Sequence, residues 1–587
     1  MRSRRDDNPA GTVASHRLTR RETLRGIGGA GMALAATGEI AGATQVATPA
    51  TPGSSAVGSD QPNILVIIVD EMRDWMWFPD QDILNERFPN MARLQQGAVR
   101  FGRHYTASNM CSPSRGSLLT GLYSHQTGFV LTQGSNAATL QGRPGSVESD
   151  ASPEAEPPPW PPLDPRFPTW GTLLRQQGYE TYWWGKWHVN DDSCDLEQYG
   201  FSGGTCPSPN GAPGEGTEVD PDIADQAISW LQGQGDRGPW CTTVSFVNPH
   251  DIQWYPRQTR HVPGQRNPEP VFDELPPNYE TPDQLIDQNK PRLQLVSEMA
   301  LPQVFGEIPH YGPNFERGWL KMLDLYYQLH GDVDAEIGRL LDALEANPEV
   351  AANTIIVFTS DHGEYAGSHG MRGKGAGLYE EGIRVPLWVK DPTGRFAAQP
   401  ETVRDEVTSS VDLVPLLLSF ATGGNDWRNS PEHAHLADRF DMTTLLADAG
   451  APGRPYALHA TDEDGFEFGP RLFRFLQDAP FHVMGLVTKD AKIGVYANWA
   501  EDSDEILEQG QEVEFYDYTT EEGRLELVNS AGVQNQQFRE MYDLLMTDAV
   551  PNELRATLPP ELEAARQDTI AASVARIAYD RALARDE

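Results

Sequence analysis

The stretch Asn109-Met-Cys-Ser-Pro-Ser-Arg-Gly-Ser-Leu-Leu-Thr-Gly121 holds one of only four cysteines, Cys111, with Arg115 four residues on. A cysteine here is open to five readings: a small buried hydrophobe, half of a disulfide, a metal ligand, a thiolate nucleophile, or a residue that another enzyme rewrites. Residue types that do chemistry recur in short groups elsewhere. Asp70-Glu71, Gly185-Lys-Trp-His188, Asn248-Pro-His-Asp251 and Asp361-His362-Gly363 each follow an apolar run, and Gly373-Lys374 comes soon after the last. Carboxylates and histidine hold divalent cations, lysine and arginine stabilise anionic oxygens, and histidine moves protons near neutral pH. Each group alone is weak, because Asp-Glu, Asp-His-Gly and Gly-Lys-Trp-His are also ordinary turn and loop sequences.

The elements that must position these groups are legible. Asn63 to Val69 is a continuous apolar run, the pattern of a strand buried on both faces in a largely parallel sheet. Tyr179 to Trp184, Trp240 to Val247 and Thr354 to Thr359 read as strands too, while Trp170 to Gln177 and Leu323 to Leu344 have helical spacing. Ligands collect at the carboxyl ends of strands in open α/β sheets, so four strand ends bearing Asp, His or Lys predict one site along one sheet edge.

Cys111-Ser-Pro-Ser-Arg115 with Leu119-Thr120-Gly121 resembles the signature of the type I sulfatases, formylglycine-dependent members of the alkaline phosphatase-like superfamily. The resemblance is reinforced in order by Asp70, Gly185-Lys-Trp-His188, Pro249-His250, Asp361-His362-Gly363, Gly373-Lys374, Tyr379 to Pro386, Val411 to Pro415 and Phe515-Tyr-Asp517, and spans about Pro62 to Ala531. It implies an α/β fold: a large mixed, mostly parallel sheet flanked by helices, with a smaller C-terminal antiparallel subdomain. It also implies a maturation enzyme that oxidises Cys111 to formylglycine, an aldehyde whose hydrate has two hydroxyls on one carbon. One hydroxyl attacks sulfur and displaces the alcohol; loss of the proton from the second expels sulfate and restores the aldehyde, so water never attacks a hindered anionic sulfur.

By the same resemblance Asp70, Glu71, Asp361, His362 and the group made from Cys111 hold a divalent metal, calcium first, with manganese or magnesium also compatible. Arg115 orients and polarises the hydrate, Lys186 and Lys374 bind sulfate oxygens, His188 contacts the hydrate, and His250 protonates the leaving alcohol. Two of only seven lysines fall in these motifs. Two positions depart from the pattern: Glu71 stands where many relatives have a second aspartate, and His362 where the best-known arylsulfatases have asparagine.

The rest of the chain sets the context. At 587 residues it predicts one large domain and a smaller one. A formal charge of -39, spread throughout, suits solubility in high salt and disfavours nucleic acid and anionic membranes as partners. Thr19 to Arg25, ahead of the weakly hydrophobic Gly26 to Ala36, resembles a twin-arginine export signal over residues 1–43, and no membrane span is expected because the apolar run falls far short of about 20 residues. Residues 44–61 read as a flexible linker, 62–422 as the catalytic domain, 423–550 as the C-terminal subdomain with strands at Pro455 to Ala460, Phe481 to Val487 and Ile493 to Trp499, and 551–587 as a helical tail. Leu131 to Phe167 reads as a flap. Cys194, Cys206 and Cys241 remain; Cys194 with Cys206 is one way to close a small loop, but spacing does not assign the pair. For Trp183, Trp184, Trp254 and Tyr255, packing and pocket lining stand open, and Glu364 reads as a supporting residue.

The expectation is an exported enzyme that hydrolyses a small or carbohydrate sulfate ester. Its rivals are a formylglycine-dependent phosphonate monoester or phosphodiester hydrolase, and a silent binding protein that keeps Cys111 as a thiol. Neither the ester nor the oligomeric state is legible.

Overall fold

The computed structural model describes residues 61–76, 81–133, 158–190, 192–235, 237–462, 479–532 and 534–586. The export segment, almost all of the linker and most of the expected flap lie outside the described residues.

Eight strands form the main sheet: β1 (Asn63–Val69), β2 (Ala98–Tyr105), β3 (Glu180–Gly185), β4 (Ser202–Gly203), β5 (Trp240–Phe246), β6 (Thr354–Ser360), β7 (Leu387–Lys390) and β8 (Val403–Ser409). Their order is β4-β3-β5-β1-β6-β7-β2-β8. β7 runs antiparallel to both of its neighbours and the other pairs are parallel. The four strands expected to end in reactive residues are consecutive in this order. Register aligns their ends, since Val69 lies opposite both Phe246 and Ser360.

β1 shows why an unbroken apolar run makes a central strand. Side chains alternate between the two faces of a strand. Ile64, Val66 and Ile68 pack with Leu118, Leu119, Trp170 and Leu417, from the helices Cys111–Thr120, Trp170–Gln176 and Leu413–Thr422. Leu65, Ile67 and Val69 pack with Ile223, Ala227, Ile337 and Leu341, from the helices Glu215–Gln234 and Phe315–Glu345. Each such aliphatic side chain contributes about 1.5–3 kcal/mol by leaving water, so both faces must be apolar.

A second sheet is antiparallel: β9 (Ala457–Thr461), β10 (His482–Val487), β11 (Ala491–Ala497) and β12 (Glu512–Asp517), in the order β12-β11-β10-β9. Short helical turns occupy residues 426–447 before it, and their Trp427, Leu436 and Leu445 join the core of the first sheet. The helix Pro560–Asp586 is no free tail: Leu562 and Ala565 enter that same core. Arg566 Nε donates to the His125 carbonyl oxygen at 2.8 Å, and Ser573 Oγ to that of Gly128 at 3.1 Å.

Candidate active site

Asp70, Lys186, His250 and Asp361 all leave the carboxyl ends of β1, β3, β5 and β6 or the turns just beyond them. Gly185 makes the turn after β3 possible: its φ is +93°, and a Cβ there would sit 2.0 Å from the Ser245 carbonyl oxygen. The Lys186 N–H then donates to that same oxygen at 2.9 Å. Cys111 opens the helix Cys111–Thr120, so its sulfur lies at the positive end of the helix, and Arg115 follows one turn later on the same face.

Arg115 joins the ends of four strands, β1, β3, β5 and β6. Its Nη2 donates to Asp70 Oδ2 at 2.6 Å, its Nε to Asp361 Oδ2 at 2.9 Å, and its Nη1 to the Lys186 carbonyl oxygen at 2.8 Å and Ser245 Oγ at 3.0 Å. The hydroxyls of Thr106 and Ser114 donate to the Asp361 carbonyl oxygen at 2.7 and 2.5 Å.

Two lysines face the cysteine. Lys186 Nζ is 3.9 Å from Cys111 Sγ and 2.9 Å from Asp70 Oδ2. His362 Nε2 is 3.1 Å from the same sulfur. Burial works to raise the Cys111 thiol, but Lys186 and Lys374 outweigh it and hold it well below the ordinary range. Burial alone pushes the other free thiol, Cys241 in β5, up. The contrast separates Cys111 from a plain buried hydrophobe. Cys194 and Cys206 are joined in a disulfide.

Burial likewise works to raise Asp70, yet Lys186 and Arg115 hold it well below the usual carboxylate range. Glu71 goes the other way: burial, with Glu364 adding to it, raises it well above that range although Lys374 opposes. Burial, Lys186 and Lys374 pull His250 down to about 3. His188 is pulled down by burial and Lys186; its Nε2 lies 3.0 Å from the Gln133 carbonyl oxygen, and its Nδ1 has no partner.

The donor atoms form a candidate site for a divalent cation. Ligand atoms of Asp70, Cys111, Asp361 and His362 all lie within 4.8 Å of one another. Glu71 falls in a second such group, with Asp70 and His250, and its Oε2 is 2.9 Å from Lys374 Nζ. Asp70 Oδ1 and Glu71 Oε1 are buried without a hydrogen-bond partner, an arrangement that is costly unless something positive meets them.

Gln253 and Gly211 support the site from outside every motif named above, and Glu364 supports it as its position suggests. Gln253 Oε1 accepts from Lys374 Nζ at 2.7 Å; it lies one turn after His250 in the short helix His250–Trp254, a spacing that signals proximity. Gly211 lies so close to the His250 ring that a Cβ would come within 2.3 Å of it, and nothing local in the sequence marks that approach. Glu364 Oε1 accepts from the N–H groups of Ala366 and Gly373, bracing the loop that carries Lys374. Trp183 is core, packed on Trp170 and Trp187, and Trp184 packs with Tyr182 and Trp230. Trp254 lies by the site, its Nε1 donating to the Gly211 carbonyl oxygen at 2.7 Å, and Tyr255 donates to that of Gly318 at 3.1 Å.

The family model described as Sulfatase matches residues 62–423. The chain is 28% identical over 392 residues to an N-acetylglucosamine-6-O-sulfatase of Bacteroides thetaiotaomicron, covering 57% of this chain and 63% of that relative, so it spans less than two thirds of the relative's length. Among solved structures it resembles a putative sulfatase from Bacteroides thetaiotaomicron, with a TM-score of 0.59 at 19% identity over 86% of this chain and 96% of that one. It also resembles a phosphonate monoester hydrolase from Silicibacter pomeroyi, with a TM-score of 0.59 at 19% identity over 84% of this chain and 96% of that one. At such identities the structural likeness speaks for the fold. With the family match extending over well more than half of its length, the chain belongs to the sulfatase family.

Proposed function

We propose that the protein hydrolyses a sulfate ester to an alcohol and inorganic sulfate, with formylglycine made from Cys111 by a maturation enzyme. One observation carries the reading: the Cys111 sulfur sits at a helix N-terminus, 3.9 Å from Lys186 Nζ and 3.1 Å from His362 Nε2, held low by two lysines. That is a pocket for an anion beside the reacting carbon. The aldehyde hydrate supplies the nucleophile, and a divalent ion, calcium first with manganese or magnesium compatible, supplies polarisation of a sulfate oxygen. Asp70, Glu71, Asp361, His362 and the side chain at 111 would hold that ion.

The chain's own groups do the rest. Lys186 and Lys374 bind sulfate oxygens and oppose the charge that grows on them. Arg115 locks the carboxylates of Asp70 and Asp361 in place. His188, with Nε2 turned to the Gln133 carbonyl, directs Nδ1 at the residue 111 side; His250, neutral beside the two lysines in the free site, takes up a proton once the bound sulfate offsets their charge and gives it to the departing alcohol oxygen. In this reading residues 62–422 are the catalytic domain, 423–550 the C-terminal subdomain and 551–587 the helical tail, and the twin-arginine segment exports the folded enzyme. The substrate is a small or carbohydrate sulfate ester; the Bacteroides relative, named for N-acetylglucosamine 6-O-sulfate, supports the carbohydrate class.

A second reading, phosphonate monoester hydrolysis, has the fold of the Silicibacter enzyme in its favour. Mass spectrometry of the tryptic peptide bearing Cys111 comes first: loss of about 18 Da marks the aldehyde. Rates on matched aryl sulfate and phenylphosphonate esters then decide. Faster phosphonate cleavage overturns the sulfatase reading, and an unmodified thiol in protein from the native host favours the silent binding protein.

A further inference from the structure

Two residues before Lys374, Arg372 is 4% exposed. Its Nη1 donates to the Tyr255 carbonyl oxygen at 2.9 Å, and its Nη2 is enclosed with no hydrogen-bond partner. Among the described residues no carboxylate reaches ion-pair distance of it. Glu298 and Glu364 act on it only from further off. Glu298 Oε2 lies 3.1 Å from His310 Nε2, and Glu364 Oε1 accepts from two backbone N–H groups. The guanidinium lies over the Phe305 ring, 5.8 Å from its centre, and that ring packs against Trp254 at 5.5 Å. A desolvated cation in such company is costly unless an anion joins it.

Its position names the anion. The segments 250–255 and 372–374 run side by side, with Lys374 Nζ reaching Gln253 Oε1 at 2.7 Å and Arg372 reaching the Tyr255 carbonyl. If sulfate lies between Lys186 and Lys374, with His250 at the bridging oxygen, the alcohol half leaves on the side of segment 250–255, whose Trp254 packs on the Phe305 ring that Arg372 covers. Guanidinium matches a carboxylate or a sulfate with two parallel hydrogen bonds, which ammonium does not.

We propose that Arg372 binds a second oxyanion, a carboxylate or another sulfate, on the alcohol half of the substrate, so that the preferred ester is a polyanion such as a sulfated uronic acid or a multiply sulfated sugar. This rests on the sulfate-ester reading above. The net charge of -39 repels such substrates from the surface at large, which makes a local cation the feature that admits them.

The test uses the full chain and unreactive sulfonates as probes. Dissociation constants of 3-sulfobenzoate, benzene-1,3-disulfonate and benzenesulfonate are measured by calorimetry for the wild type, Arg372→Gln and Arg372→Lys. The wild type is expected to prefer a dianion over benzenesulfonate by about 10- to 100-fold, the size of one or two hydrogen bonds to a charged group. Arg372→Gln removes that preference and Arg372→Lys restores part of it; which dianion is favoured tells carboxylate from sulfate. No preference in the wild type, or an unchanged preference in Arg372→Gln, overturns the proposal. If Arg372→Gln does not fold, Arg372→Lys and the wild-type preference decide in its place. The kcat/KM ratio of 4-(sulfooxy)benzoate to phenyl sulfate is expected to fall in parallel. If protein shown to carry the aldehyde cleaves neither ester, the sulfate-ester reading has failed, while the sulfonate affinities still judge Arg372.

Discussion

Arg115 and Asp70 meet at 2.6 Å with both side chains buried, and Arg115 holds Asp361 as well at 2.9 Å. Lysine has one compact charge and no planar fork, so it cannot reproduce the four contacts that Arg115 makes to Asp70, Asp361, Ser245 and the Lys186 carbonyl. Arg115→Lys is expected to lower kcat by about 100-fold or more and to cost about 1–3 kcal/mol of stability, the range for leaving buried hydrogen-bonding groups unsatisfied while the charge is kept. Steady-state kinetics beside urea unfolding measures both. Wild-type kcat in Arg115→Lys would remove it from the site.

On the formylglycine reading, Cys111→Ala deletes the nucleophile's precursor but little volume. Hydrolysis should vanish while the thermal midpoint stays within a few degrees of the wild type, as expected for a change on the order of 1 kcal/mol. Measurable turnover in protein free of wild-type contamination would refute the aldehyde mechanism.

Asp70 Oδ1 and Glu71 Oε1 are buried and unpartnered, so a bound divalent ion should contribute to folding as well as to rate. Chelation is expected to lower the thermal midpoint, and calcium, manganese or magnesium to restore it. Asp361→Asn should reduce the metal content measured by elemental analysis. A midpoint unmoved by exhaustive chelation would argue against a resident ion.

Gln253 accepts a hydrogen bond from Lys374 and lies outside the candidate cation groups. Gln253→Leu removes an acceptor from the lysine and should raise KM several-fold with a smaller effect on kcat, since the ammonium stays but loses its aim. An unchanged KM would make the contact incidental.

Acid should destabilise the fold through buried histidines that lie outside the candidate site residues. Burial lowers His330 and His459 to about 4. Their unfolded-state value lies near 6.5, so as pH falls through that value the unfolded chain takes up protons that the folded chain refuses. Stability is present in full above about pH 6.5 and falls toward pH 4, by on the order of 3 kcal/mol for each histidine. Urea unfolding at pH 7, 6 and 5 checks the slope, and a flat profile would contradict it.

Much of this molecule was determined by sequence alone. The apolar run at Asn63 to Val69 could only be a strand covered on both faces, because alternating side chains of β1 enter two different cores. The reactive groups were legible because each follows such a run by one or two residues, and strand ends are where a parallel sheet leaves backbone free for ligands. What tertiary structure decided are relationships across long separations. Strand order placed β3, β5, β1 and β6 side by side; β1 and β6 are separated by almost 300 residues, and no local pattern specifies that pairing. The disulfide partner of Cys194, the approach of Gly211 to His250, the alignment of Glu71 with Asp70 and His250, and the lone guanidinium of Arg372 all arise where separate loops meet. Periodicity records which face of an element is buried, whereas these contacts depend on what the whole fold brings against that face.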